Sequence, residues 1–183
     1  GIASRGLGDV YKRQVEEQHF PKNLNPYYAA YRSVAVAISD IYAMGGIPES
    51  YLLSISHPQP SDIWFGEFSK GIEKVNHDYS LSLLGGDMVK GQLAITVTVF
   101  GKALDNICER SNAKLGDNIF LSGPLGFGKA GLEDYQKGNK DEPSQYLMPQ
   151  LISNHIIEKL NPIMNAAIDL SLIHISEPTR RNS

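Results

Sequence analysis

Three aspartates, Asp40, Asp87 and Asp169, fall at the ends of expected helices or strands rather than in exposed runs of charge. Carboxylates in oxygen-rich surroundings suit a hard cation such as Mg²⁺, whose usual company is the phosphates of a substrate. Asp87 directly follows Gly85-Gly86, and glycines without a Cβ let a backbone come close to a ligand. Asp40 lies near the C-terminal end of an otherwise apolar helical segment, where the helix dipole disfavours a carboxylate unless a cation offsets it. The sequence has no Cys/His cluster of the zinc type and no Gly-x-Ser-x-Gly elbow of the acyl-transfer type. These residues favour a Mg-nucleotide enzyme over a metal-free binding module. The plainer alternative is that each aspartate satisfies the backbone of its own turn.

The elements that must position them follow from spacing. Asn25-Pro26 opens a helix, as cap and first-turn proline. Ala30, Val34, Ala37, Ile38, Ile41 and Met44 recur at helical spacing, and Gly45-Gly46 with Pro48 ends the run. Residues 51–56 read as a strand. Ser61 caps a second helix carrying Trp64, Phe65, Phe68, Ile72, Val75 and Tyr79, a stripe that reads as core packing. Residues 81–84 read as a buried strand that ends in the Gly-Gly-Asp turn. Residues 93–100 alternate, which predicts a half-buried, antiparallel strand.

Residues 101–110 read as a hinge between two units, and 118–122 as a further strand. Gly123, Gly126, Gly128 and Gly131 precede a helix expected from Leu132. They could cradle an anion, but they lack the P-loop Gly-Lys-Ser/Thr ending and a dinucleotide fingerprint. Pro149 opens a helix through Leu160, and 166–171 reads as a strand that delivers Asp169 and Ser171.

Composition narrows the class. The chain has 183 residues, 42% apolar and 20% charged, with net charge −3. That balance offers no electrostatic reason for nucleic acid or an anionic membrane as partner. A single cysteine, Cys108, makes no internal disulfide and fits a reducing compartment. No apolar stretch reaches membrane-spanning length, and the expectation is a cytoplasmic protein. Residues 1–14 show neither helical nor strand periodicity, and 172–183 also lose any pattern. Both ends resemble translated adapter sequence and are set aside as non-native tails.

Taken in order, the motifs resemble thiamine-monophosphate kinase. They are Val15-Glu16-x-x-His19-Phe20, Ser39-Asp40-Ile41-x-Ala43-Met44-Gly45-Gly46-x-Pro48, Gly85-Gly86-Asp87 and Arg110-Ser111-x-Ala113-Lys114-x-Gly116-Asp117. Gly123-x-Leu125-Gly126, Gly131-Leu132 and Ala167-Ile168-Asp169-Leu170-Ser171 complete the series. That family shares an ATP-binding superfamily with aminoimidazole ribonucleotide synthetase and selenophosphate synthetase. The resemblance implies an α/β fold: an α+β N-terminal domain with a mixed or antiparallel sheet over 15–105, then the first part of a C-terminal α/β domain over 106–171. It implies Asp40, Asp87 and Asp169 as magnesium ligands, and Gly86, Asp87, Arg110 and Ser171 as ATP contacts. Asp87 and Arg110 would act in the transfer step, and His19 would lie by the thiamine phosphate. ATP and thiamine monophosphate would be the substrates, Mg²⁺ the cofactor, and a homodimer through the N-terminal domain the assembly. Another synthetase of the superfamily, or a non-catalytic nucleotide-binding domain, is the rival. The family's early Gly-Asp-Asp motif, a Thr-Asp pair before Val15 and an Asp-Gly after Ser171 are missing, and Ala37 stands where Asn is common. The chain is therefore expected to be an inactive fragment.

Overall fold

The computed structural model describes residues 8–140 and 143–169. Four strands form one mixed sheet in the order β1-β4-β2-β3. They are β1 (Gly8–Val15), β2 (Ile47–His57), β3 (Ser82–Lys90) and β4 (Ala94–Lys102). β4 lies antiparallel to both β1 and β2, while β3 lies parallel to β2. Parallel neighbours need a crossover, and α2 (Asp62–Tyr79) supplies it.

α1 (Pro26–Ala43) begins where the sequence predicts, with Asn25 Oδ1 accepting the Tyr27 N–H at 2.9 Å. Its Ala30, Val34, Ala37 and Ile38 are fully buried. They rest on Ile95, Val97 and Val99 of β4 and on Tyr51 and Leu53 of β2. α2 starts at Ser61, whose Oγ accepts the Trp64 N–H at 3.2 Å. The expected stripe does pack inward: Phe68, Ile72 and Val75 join the core, and the Trp64 ring stacks on Phe68 with centroids 4.8 Å apart. Both helices lie on one face of the sheet. The alternation of β4, buried at 95, 97 and 99 and half-buried at 96, 98 and 100, records the difference between the two faces.

Several expectations differ from the structure. β3 does not turn at Gly85-Gly86-Asp87 but runs through it, held by the register Leu53↔Gly86 and Ser54↔Asp87. A Cβ on Gly86 would overlap the Leu53 carbonyl oxygen, so the close approach that this glycine permits is to β2. β3 is also an exposed edge along its whole length rather than a buried strand. Residues 8–14, which lack a strand pattern, pair with β4 from Gly8↔Gly101 to Gln14↔Ile95. Residues 118–122 and 166–169 are not strands, since no described strand lies beside them to complete their hydrogen bonds.

Beyond the sheet come α3 (Phe127–Gln136) and α4 (Asn154–Leu160), with 3-10 turns at Arg110–Asn112 and Asn161–Ile163. α3 starts five residues before the expected Leu132, and α4 starts five after Pro149. No helix among the described residues is long and apolar enough to cross a membrane.

Candidate functional site

α1 ends in a knot of amides. Met44 carbonyl accepts the Cys108 N–H at 3.4 Å, and Gly45 follows at φ +73°. A side chain at Gly45 would press on Cys108 Sγ and Asn161 Nδ2. The buried Asn161 donates from Nδ2 to the carbonyls of Gly45 (3.1 Å) and Asn106 (2.6 Å), and its Oδ1 accepts the Asn106 N–H at 3.1 Å. Asn106 Nδ2 donates in return to the Asn161 and Met164 carbonyls. Asn161 thereby spends both donors and its acceptor on backbone groups, and Asn106 returns its amide donors in kind. The Ala167 N–H donates to the Cys108 carbonyl at 3.3 Å, which lays residues 167–169 along the end of α1.

The result is a meeting of carboxylates. Asp169 Oδ2 lies 3.0 Å from Ser39 Oγ, which also lies 2.8 Å from the Val36 carbonyl. That hydroxyl has one proton for two acceptors. Asp40 stands beside Asp169 on the next position of α1. Burial pushes the Asp40 carboxyl above its ordinary range; Lys12 pulls it back down and Asp169 raises it further. Lys12 Nζ sits 3.1 Å from Asp40 Oδ2, the cation that a carboxylate at a helix C-terminus calls for. Two carboxylates and a hydroxyl, short of positive charge, are the donor set of a hard-cation site, and in that respect the residues fit magnesium.

Asp87 is not brought to this pair. Its partner Ser54 alternates with the buried Leu53 and Ile55, so the register turns Asp87 to the face away from α1 and α2. Among the described residues no three His, Cys, Asp or Glu side chains gather as a metal site. Arg110 is exposed, at the start of its 3-10 turn. His19 is exposed in the loop after β1, where its Nδ1 accepts the Val15 N–H at 3.1 Å. Gly86 is spent on β2, and Ser171 lies outside the described residues.

Beside Arg110 the two 3-10 turns enclose an open cavity of about 810 Å³, lined by Asn106, Ser111, Asn112, Lys114, Met164 and Asn165 among others. Asp117 shapes its rim, accepting the Lys114 N–H at 2.8 Å and the Asn165 amide at 3.0 Å. Amides, a hydroxyl and an amine around one hollow suit an anionic, hydrogen-bonding ligand. The sequence reading missed Lys12, Asn106 and Asn161. Lys12 lay in a stretch without pattern, and a buried asparagine pair leaves no periodic trace.

Comparisons with known proteins bear on the family and the fold. Thiamine-monophosphate kinase of Buchnera aphidicola subsp. Schizaphis graminum is 40% identical over 171 residues, covering 86% of this chain and 51% of that protein. The crystal structure of thiamine-monophosphate kinase from Stenotrophomonas maltophilia superposes with a TM-score of 0.82 at 26% identity, over 93% of this chain and 58% of the other. A structure named AaThiL complexed with AMPPCP and TMP gives 0.81 at 26% identity, over 93% and 58%. The chain spans about half the length of the curated relatives it matches. Residues 12–103 match the family described as AIR synthase related protein, N-terminal domain, and through this sheet and its two helices the chain belongs to that family.

Proposed function

We propose that the chain carries the metal- and nucleotide-binding part of an ATP-dependent kinase that passes the γ-phosphoryl group of ATP to thiamine monophosphate, giving thiamine diphosphate. The observation that carries this reading is the convergence of Ser39, Asp40 and Asp169, with 130 positions separating Ser39 from Asp169. The AMPPCP and TMP of the similar structure support the choice of substrates.

Asp40, Asp169 and Ser39 would hold magnesium, which supplies positive charge against the phosphates during transfer. Asp87 is assigned to a further magnesium ion on the nucleotide, and Gly86 and Ser171 to the nucleotide itself. Arg110, next to the polar cavity, would offset charge on the transferring phosphoryl group. His19 is assigned to the thiamine phosphate side, with its ring oriented through Nδ1. The partner is a second copy, joined through the open sheet face and the β3 edge, where Tyr11, Leu52, Leu84 and Val89 are exposed. The compartment is the cytoplasm.

One observation favours a narrower reading of the 183-residue chain by itself. Asp87 faces away from the Asp40–Asp169 pair, so the cluster is incomplete for transfer, which depends on positioning. The chain alone is therefore expected to bind Mg-ATP without turnover, as a nucleotide-binding domain does.

The test is a chimera in which residues 15–169 replace the matching segment of the Buchnera kinase. With Mg-ATP and thiamine monophosphate it should form thiamine diphosphate, and Asp87→Asn should remove most of that turnover. A folded chimera that yields no product would overturn the kinase reading. Product with another superfamily substrate instead would favour the synthetase rival.

A further inference from the structure

Residues 164–169, which carry Asp169 to α1, belong to neither a helix nor a strand. Such a segment has no ladder to fix its register. Asp169 also brings a second negative charge beside Asp40, and like charges push the segment away rather than draw it in. The Ser39 hydroxyl, shared between Asp169 and the Val36 carbonyl, is a weak hold against that.

The firmer hold lies a few residues earlier. Asn161 is 2% exposed. Its amide joins the Gly45 carbonyl, just past the end of α1, to the carbonyl and N–H of Asn106. Asn106 Nδ2 in turn holds the Asn161 carbonyl at 3.0 Å and the Met164 carbonyl. Cys108 completes the seam: its N–H reaches the Met44 carbonyl and its carbonyl accepts the Ala167 N–H. Each contact addresses one backbone group at fixed reach. A slip of the segment by one residue would unpair several of them at once, whereas apolar packing, which has no direction, would tolerate it.

We propose that Asn161, together with Asn106, is the positioning element of the Ser39–Asp40–Asp169 site: the amide pair fixes the register of 164–169 against α1 and so sets where Asp169 meets a bound ion. The inference rests on the metal assignment above. Neither asparagine is a ligand; both act through the backbone. Linkage then makes the effect mutual. If the closed amide pair raises affinity for the ion, a bound ion stabilises the closed pair by the same factor. Cys108 reports that closure. It is the single cysteine of the chain, it is 3% exposed, and its Sγ lies 3.9 Å from Asn106 Nδ2 and 4.0 Å from Asn161 Nδ2. A reagent reaches it when the seam opens.

The experiment uses the 183-residue chain as parent, Asn161→Leu, which keeps the volume and loses the amide, and Asn106→Ala. Residues 1–14 are common to all three, so any effect of that stretch cancels in the comparison. Mn²⁺ affinity is read from the loss of the free-ion EPR signal, and Cys108 alkylation is followed with and without Mg²⁺. Asn161→Leu should bind Mn²⁺ about 10–100-fold more weakly than the parent, as when an outer-shell partner of a metal ligand is lost, with a smaller loss in Asn106→Ala. Cys108 should react faster in Asn161→Leu, and saturating Mg²⁺ should slow the reaction several-fold in the parent. A merely structural asparagine would speed alkylation and leave Mn²⁺ affinity where it is; that result would overturn the positioning while the metal assignment stands. No Mn²⁺ binding to the folded parent would overturn the metal assignment and this inference with it. Should Asn161→Leu fail to fold, the parent decides, because alkylation unslowed by saturating Mg²⁺ would refute the linkage.

Discussion

Residues 8–102 and 103–169 are built on different terms. In the first stretch α1, α2, β1, β2 and β4 send apolar residues into one core, while β3 stays at the exposed edge. In the second, Leu115, Ile119 and Phe120 stand almost wholly exposed, and few side chains, such as Tyr146, Leu147 and Ile157, are buried. Both stretches contain apolar runs of strand length. The difference is partners. A strand satisfies its peptide groups only through a neighbour, and β4 has one on each side, whereas 118–122 has none among the described residues. Hydrophobicity without a matching ladder leaves a segment uncommitted.

This contrast can be broken by mutation. Ile38→Ala should have the largest effect, because Ile38 is fully buried between α1 and the sheet. A loss of about 2–5 kcal/mol is expected from the vacated core. Urea denaturation followed by circular dichroism measures it, and a loss under 1 kcal/mol would mean that the first stretch is no better consolidated than the second. Gly86→Ala comes next. Its new methyl group would strike the Leu53 carbonyl, at a cost of about 1–3 kcal/mol. Hydrogen exchange should show the loss in the amides where β2 meets β3 while the amides of β1 keep their protection. Uniform loss along the sheet would argue against a local clash.

Asn161→Ala sharpens the comparison at the junction. It removes the donors that satisfy the Gly45 and Asn106 carbonyls, costing about 1–3 kcal/mol locally. The expected readout is faster proteolysis after residue 103 with little change in the melting of the first stretch. The smallest effect belongs to Phe120→Ser. An exposed side chain with nothing packed on it should change stability by no more than about 0.5 kcal/mol. A larger loss in the same urea titration would show that Phe120 is covered in solution.

How far the sequence could be read divides along the same line. α1 and α2 were legible because their signals are local: a cap, a period and a stop within each segment. β4 was legible because its two faces differ. β1 was not, and the cause is chemical. Lys12 and Gln14 point inward, where a hydropathy pattern wants apolar residues, and each finds a polar partner there: Asp40 for Lys12, the Ser33 carbonyl at 3.3 Å for Gln14. β3 was recognised but misjudged, since Leu83 and Leu84 carry no sign that their strand would end up at an edge. At the site, Asp40 lies near the end of its helix as expected, with Lys12 of β1 beside it. That Asp169 would reach it depended on two buried asparagines, which no spacing rule singles out.

The strand order has a consequence for how the chain comes together during synthesis. β4 is the last of the four described strands in sequence, yet it occupies the middle of the sheet, between β1 and β2. Of these four, β1 is made first and cannot meet β4 until the 78 residues between Val15 and Ala94 have followed. Until then only β2 and β3, already joined through α2, can associate. Such distant pairing is slow and leaves an edge open to other chains. A nascent chain halted before Lys102 should thus remain sensitive to protease along β1, and release of the complete β4 should join β1 to β2 and β3 in one step.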